Sequence, residues 1–377
     1  MADMHFDTPF TVLNSKAGLG EKRRLEQREV FRKVIEYIKK ENIEFLFISG
    51  DLYEHNYIRK TTIEYINNLF KEIPRTKIFI SPGNHDPLLK NSYYNTFSWN
   101  ENVHIFNSQI KKYEFGNICI YGFGFEDFYC NYSECEEIKI ENLNKINILI
   151  THASIDASKK IELQYNPIKE NNLKKIGFDY IALGHIHKRE IFDGNIVYPG
   201  SIISFGFDEL GEHGILDVEL IKNNSEKNKL KINNQNNSEI NNKKIEKKCK
   251  NNLKINFIKL DERIFEEKKI NISKINTEEE LIENINQMTL EEKKMYKIIL
   301  EGHRQFEINT KKICKLADKE NIIKVKNETT TQYELDKLAK EKNLRGLFVQ
   351  EMLEKLKDEK EEYKKALEIG LEVLKNK

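Results

Sequence analysis

Three features are missing from this sequence, and each absence narrows what the chain can be. Paired cysteines are the first: Cys119, Cys130, Cys135, Cys249 and Cys314 include no CxxC spacing, which argues against a cysteine-bound structural zinc or a thioredoxin-like redox centre. They read as reduced thiols of a cytosolic protein. An excess of one charge is the second. Lysine and arginine total 62 against 61 acids, for a net charge of +1, so no whole-molecule field draws nucleic acid and any basic surface must be local. A long apolar run is the third: nothing approaches the ~20 residues of a membrane span, and the N-terminus lacks the basic start and apolar stretch of a secretion signal. A soluble, cytoplasmic protein without a membrane partner is expected.

The 377 residues exceed what one hydrophobic core usually organises, roughly 250 to 300, so a large core with an appendage is expected. From residue 1 to 221, strand-length apolar runs at Ile43–Ile48, Lys77–Ile80, Ile118–Tyr121, Ile146–Ile150, Tyr180–Leu183 and Ile215–Leu220 alternate with helical or irregular stretches. Leu25, Val30, Val34, Ile35 and Ile38 give Lys22–Lys40 the stripe of an amphipathic helix. This is the pattern of an α/β layered core. Residues 222–254 carry ten lysines against three glutamates among Asn, Ser and Gln, without apolar periodicity, and read as a solvated spacer or a basic arm for phosphates. Residues 255–330 have enough strand and helix signals for a small α+β capping domain, including a helix after Thr277. The charged stretch 331–377 predicts a helical tail. Its stripe of Phe348, Met352, Leu356, Tyr363, Leu367, Leu371 and Leu374 packs on its own protein or docks on a partner helix.

Chemistry concentrates in a series of short signals. Asp3 and His5 come first, then Gly50-Asp51, Gly83-Asn84-His85-Asp86, Thr151-His152 and Gly184-His185-Ile186-His187. All but the first directly follow an apolar run. Strand C-terminal ends meet in one crevice of an α/β sheet, so these residues can converge despite their separation in sequence. Carboxylate, imidazole and amide oxygen suit divalent first-row metals such as manganese. A dinuclear centre needs a shared carboxylate, and Asp51, alone at the end of the most apolar strand, is the best bridge. Asp3, His5 and His187 can then complete one metal, and Asn84, His152 and His185 the other. The two histidines of HxH point to opposite sides of an extended chain, so a turn is needed there, and Gly184 offers the freedom for it. His55, His104, His213 and His303 read as ordinary packed or surface residues.

These signals resemble, completely and in order, the DxH, GD, GNHD, lone His and GHxH pattern of the calcineurin-like metallophosphoesterases. Ala2-Asp3-Met4-His5-Phe6-Asp7-Thr8-Pro9-Phe10, Gly50-Asp51-Leu52-Tyr53-Glu54, Ala182-Leu183-Gly184-His185-Ile186-His187 and Tyr198-Pro199-Gly200-Ser201 look like the SbcD-type DNA repair exonucleases, with an opening similar to the YhaO branch. The resemblance implies a layered sandwich of two mixed sheets flanked by helices, two manganese ions on the residues above, and His85 as a non-ligand catalytic histidine beside the scissile phosphate. It also implies DNA as substrate and an SMC-like coiled-coil ATPase of the SbcC/YhaN type as partner, and it admits a homodimer. A small-substrate phosphodiesterase or phosphatase and a non-catalytic scaffold of an ATPase complex are the alternatives.

Two positions depart from that pattern. Glu54 stands where the exonucleases often place Asp or His. Only Met1 and Ala2 precede Asp3, where the family has a complete buried strand. The expectation is therefore a missing first strand, from a truncated reading frame or at the expense of stability.

Overall fold

The computed structural model describes residues 1–374 except 15, 158–161, 221–252, 332, 334 and 359. Nearly all of the expected spacer thus lies outside the described residues. The chain divides into two units, Met1–Ile264 and Phe265–Lys377, which places residues 255–264, read above with the second domain, in the first unit.

The first unit opens with α1 (Leu19–Glu41), entered through Gly18 at φ 76° and left through Asn42 at φ 53°. Val30, Phe31, Val34, Ile35 and Ile38 form its buried face. Leu25, expected on that stripe, is 69% exposed, while Arg23 and Gln27 are buried instead. The stripe runs on through polar residues at the same spacing, where hydropathy gives no signal. Next come β1 (Phe45–Ile48), α2 (Lys60–Lys71), β2 (Lys77–Ile80), α3 (Tyr93–Thr96), β3 (Val103–Ile105), β4 (Lys111–Phe115), β5 (Ile118–Phe123) and β6 (Ile146–His152). The unit continues through β7 (Ser154–Ile155), β8 (Pro167–Ile168), α4 (Glu170–Ile176), β9 (Tyr180–Gly184), β10 (Glu190–Phe192), β11 (Ile196–Tyr198), β12 (Gly214–Leu220) and β13 (Leu253–Lys259).

All six expected strand runs are strands. β1, β2 and β3 form a parallel sheet, and a mixed six-stranded sheet runs β10-β11-β9-β6-β5-β4. β12 pairs antiparallel with β13. Side chains alternate across the larger sheet as the pleat requires. Ile120, Ile148, Ile150 and Ala182 face a core shared with Phe79 of β2 and Leu253 and Ile255 of β13, while Tyr121, Phe123, Leu149 and Leu183 face a second core with Leu173 of α4. The α/β layered class follows from this burial on both faces.

Where the family's first strand was expected to be missing, Met1 and Ala2 run beside β1. The Met1 amino group donates to the Phe47 carbonyl at 2.9 Å, the Ser49 amide donates to the Met1 carbonyl at 3.0 Å, and Ala2 bridges Ser201. Beyond Met1 a cleft of about 820 Å³ separates β1 from β12, lined by Phe45, Phe47, Ile148, Tyr180, Leu216 and Val218.

The second unit builds a three-stranded sheet from β14 (Ile264–Asn271), β15 (Lys294–Glu301) and β17 (Ile322–Asn327), with the short pair β16 (His303–Arg304) and β18 (Thr330–Thr331). Helices α5 (Glu278–Gln287) and α6 (Thr310–Leu316) cover an aliphatic core around Leu281, Ile298 and Ile313. The Thr277 hydroxyl caps α5 by accepting the Glu280 amide. The tail comprises α7 (Leu335–Leu338), α8 (Leu344–Lys355) and α9 (Glu361–Leu374). Its apolar stripe folds back on itself, since Val349 and Met352 pack with Leu367 and Leu371. Leu344, Leu347, Ile369 and Val373 stay exposed.

Candidate metal centre

The sequence places chemistry at the ends of strands, and the first unit gathers those ends. Asp51 follows β1, Asn84 and His85 follow β2, His152 closes β6, and His185 and His187 follow β9. Asp3 and His5 join them because their segment runs along the chain leaving β1: the Asp3 amide donates to the Gly50 carbonyl at 3.1 Å and the His5 amide to the Asp51 carbonyl at 2.8 Å. Three triads have ligand atoms within 4.8 Å of one another: Asp3 with His5 and His187, His5 with Asp51 and His85, and Asp3 with Asp51 and His152. Asn84 Oδ1 lies 3.0 Å from His152 Nε2, and the rings of His152 and His185 meet edge to face at 5.2 Å. All eight site residues anticipated from the sequence therefore share one cluster.

The backbone is bent to bring them there. Asp3, His5, Asp51 and His185 have φ values of 53°, 48°, 53° and 101°, a region that costs a non-glycine residue about 1 to 3 kcal/mol and clusters at functional sites. The turn expected at Gly184 is made by His185 instead. Gly184 serves close approach, since a Cβ there would strike the Ser49 carbonyl and the His152 ring.

Burial and charge differ across the cluster. Asp3, Asp51 and His152 are almost fully buried, whereas the His85 side chain is 45% exposed. Burial pushes the Asp3 carboxyl up, against the pull of His187 and His152. Burial also acts to raise Asp51, but the charges of His152 and His5 outweigh it and hold Asp51 low. His85 is pushed down by burial, yet its hydrogen bond to Glu54 and the charge of Asp51 raise it to about 9.

Several residues outside the expected donor set also contribute. Glu54 accepts from both His5 Nδ1 at 2.8 Å and His85 Nδ1 at 2.9 Å, so the departure at this position links two site histidines. Glu209 lies 2.6 Å from His187 Nδ1 and stands in an irregular stretch after β11. His213, read as an ordinary histidine, is buried and bonds both Ser201 and the Glu209 carbonyl at 3.0 Å.

Residues 1–189 match the family model for calcineurin-like phosphoesterases. The chain belongs to that family. Among curated relatives of this phosphoesterase, the metallophosphoesterase YhaO of Bacillus subtilis (strain 168) is 26% identical over 226 residues, covering 56% of this chain and 54% of that protein. The SbcD subunit of nuclease SbcCD from Staphylococcus epidermidis is 27% identical over 257 residues, covering 58% of this chain and 65% of that one. The chain thus spans a little over half of one relative and just under two thirds of the other. No helix among the described residues is long and apolar enough to cross a membrane.

Proposed function

We propose that this phosphoesterase is a two-metal phosphodiesterase that hydrolyses DNA from its ends. The observation that carries the reading is the position of Asp51 Oδ2, which lies 3.6 Å from His5 Nε2 and 3.4 Å from His152 Nε2. One buried carboxylate faces two separate donor groups, as a bridging ligand must. The donor set fits divalent cations by its chemistry. It also fits by its charge: Asp3 and Asp51 are buried and their ion pairs among the described residues are with histidines, while buried carboxylates are costly without cationic compensation.

Asp3, His5 and His187 would hold one ion, Asn84, His152 and His185 the other, and Asp51 both. Bound there, two divalent ions such as manganese would supply Lewis acidity toward the phosphate oxygens and lower the pKa of water enough to furnish hydroxide at neutral pH. His85 keeps the non-ligand role. Its backbone N–H donates to Asp51 Oδ1 at 2.9 Å and its Nδ1 is taken by Glu54, so Nε2 is the atom left to give a proton to the departing sugar oxygen.

DNA is favoured as substrate by the likeness to a component of a nuclease. A coiled-coil ATPase partner and a role in DNA repair in the cytoplasm belong to the same reading. The exposed Leu344, Leu347, Ile369 and Val373 of the tail are apolar surface that such a partner would cover. The test is manganese-dependent nucleotide release from linear duplex DNA, set beside hydrolysis of bis(p-nitrophenyl) phosphate, with Asp51→Ala as control. Hydrolysis of the small diester alone would favour a small-substrate enzyme. Hydrolysis of neither, with or without the ATPase, would remove the catalytic reading.

A further inference from the structure

The two halves of the cluster are backed differently. In one half, His5 Nε2 and His187 Nε2 stand 3.1 Å apart, and each ring has a carboxylate behind it. Glu54 Oε1 lies 2.8 Å from His5 Nδ1, and Glu209 Oε1 lies 2.6 Å from His187 Nδ1. Glu209 is itself held, because its second oxygen accepts the Ser201 hydroxyl at 2.9 Å and the Phe205 amide at 3.3 Å. The Ser201 hydroxyl in turn meets His213 Nδ1 at 3.0 Å. The Glu54 and Glu209 side chains are only 14% and 10% exposed, so water screens these bonds little.

In the other half the backing is neutral. His152 Nδ1 meets the backbone carbonyl of Ser49 at 2.9 Å, and His185 packs its ring against Tyr165 at 4.7 Å.

We propose that Glu209 is a positioning residue which, together with Glu54, makes the Asp3, His5 and His187 position the tighter of the two metal positions, so that it fills first. The inference rests on the two-metal reading above. Its physical basis is the outer hydrogen bond. A carboxylate on Nδ1 fixes the N–H there, leaves the lone pair on Nε2, and makes the ring a better donor than a neutral carbonyl does. Two anionic clamps on one position and, among the described residues, none on the ring nitrogens of the other give unequal affinity from the same number of histidines. Glu209 touches no reacting atom in this arrangement. It acts through His187.

The test titrates the full metal-free chain with Mn2+ by calorimetry and follows the same samples by electron paramagnetic resonance. The chain should show two affinity classes, with an isolated-ion spectrum at one equivalent and a spin-coupled pair at two. Glu209→Gln should weaken the tighter class by about 10- to 100-fold and bring the pair signal in together with the first ion. Asn84→Ala should remove the weaker class and leave the tighter one in place. Ser201→Ala frees Glu209 from its hydroxyl and should weaken the tighter class less, which keeps the test open if Glu209→Gln does not fold. Two classes of equal affinity in the unaltered chain, or a tighter class unchanged by both Glu209→Gln and Ser201→Ala, would overturn the assignment and leave the two-metal reading standing. Absence of any Mn2+ binding would sink both.

Discussion

The Asp86 carboxylate accepts the Asp51 amide at 3.0 Å, so the last residue of the GNHD motif holds the backbone of the bridging carboxylate in place. Asp86 also accepts the amides of Leu52 at 2.7 Å and Gly83 at 2.6 Å and the Tyr94 hydroxyl at 2.6 Å. Asp86→Ala would leave these buried donors without their acceptor, at about 1 to 3 kcal/mol for each orphaned group. The variant should melt well below the parent and bind Mn2+ more weakly. Asp86→Asn, which keeps one acceptor oxygen, should fall between them.

Asp51 and His85 should separate under metal analysis. Asp51→Ala loses the donor that faces both halves, so bound metal and hydrolysis should disappear together. His85→Ala should retain its metal while the chemical step slows by about 10²- to 10⁴-fold, the usual contribution of a positioned acid. A His85→Ala chain that purifies short of metal would make His85 a ligand, as its place near His5 and Asp51 allows.

The alkaline side of the pH profile reports on Glu54. Protonated His85 is the active form of a leaving-group acid, so activity falls as pH rises through its pKa. The Glu54 bond raises that pKa toward about 9. Glu54→Gln removes the negative acceptor, so the alkaline limb of kcat should move to lower pH. An unmoved limb would take His85 out of that step.

Away from the centre, Arg23 and Asp261 form a buried ion pair, completed by the Arg23 bond to the Ser204 carbonyl at 3.0 Å. Asp261→Ala leaves the buried guanidinium with Glu26, at 3.1 Å, as its remaining carboxylate and should cost up to about 3 to 5 kcal/mol, read as a drop in the urea midpoint. Replacing both, Arg23→Met with Asp261→Leu, should recover most of that loss.

The cleft between β1 and β12 makes a prediction about stability. Fusing an extended apolar segment ahead of Met1, as long as the seven residues of β12, should fill apolar space and pair open strand edges, raising the melting temperature. The pH dependence gives a second readout. Burial lowers the Met1 amine from 8.0 to about 5, so the unfolded chain binds the extra proton between those values, and this group's share of stability rises as pH increases from 5 to 8. The fused chain, with a peptide bond at that nitrogen, should lose this slope. Equal melting temperatures and equal slopes would show that the cleft does not take a strand.

Sequence by itself determined the strands, the spacing of the motifs and the kinds of donor atom available. Each of these is a local property: a short apolar run of strand length marks a strand, and a polar residue just past its end falls at the sheet's crevice whatever the rest of the chain does. That is why Asp51, Asn84, His152 and His185 were legible. Only the tertiary structure decided what stands behind them. Glu209 reaches His187 because an irregular stretch folds back after β11, Glu54 meets two rings brought from Asp3–His5 and from the loop after β2, and Arg23 is buried because Asp261 arrives from far along the chain. Such hydrogen bonds leave no periodicity in the sequence, since they depend on where distant loops end and not on the pattern of the residues that make them. The turn at His185 is of the same kind. A glycine beside it offered the cheaper left-handed site, but Gly184 is the last residue of β9 and pairs with His152 of β6, so the sheet keeps it extended and the turn falls on the histidine.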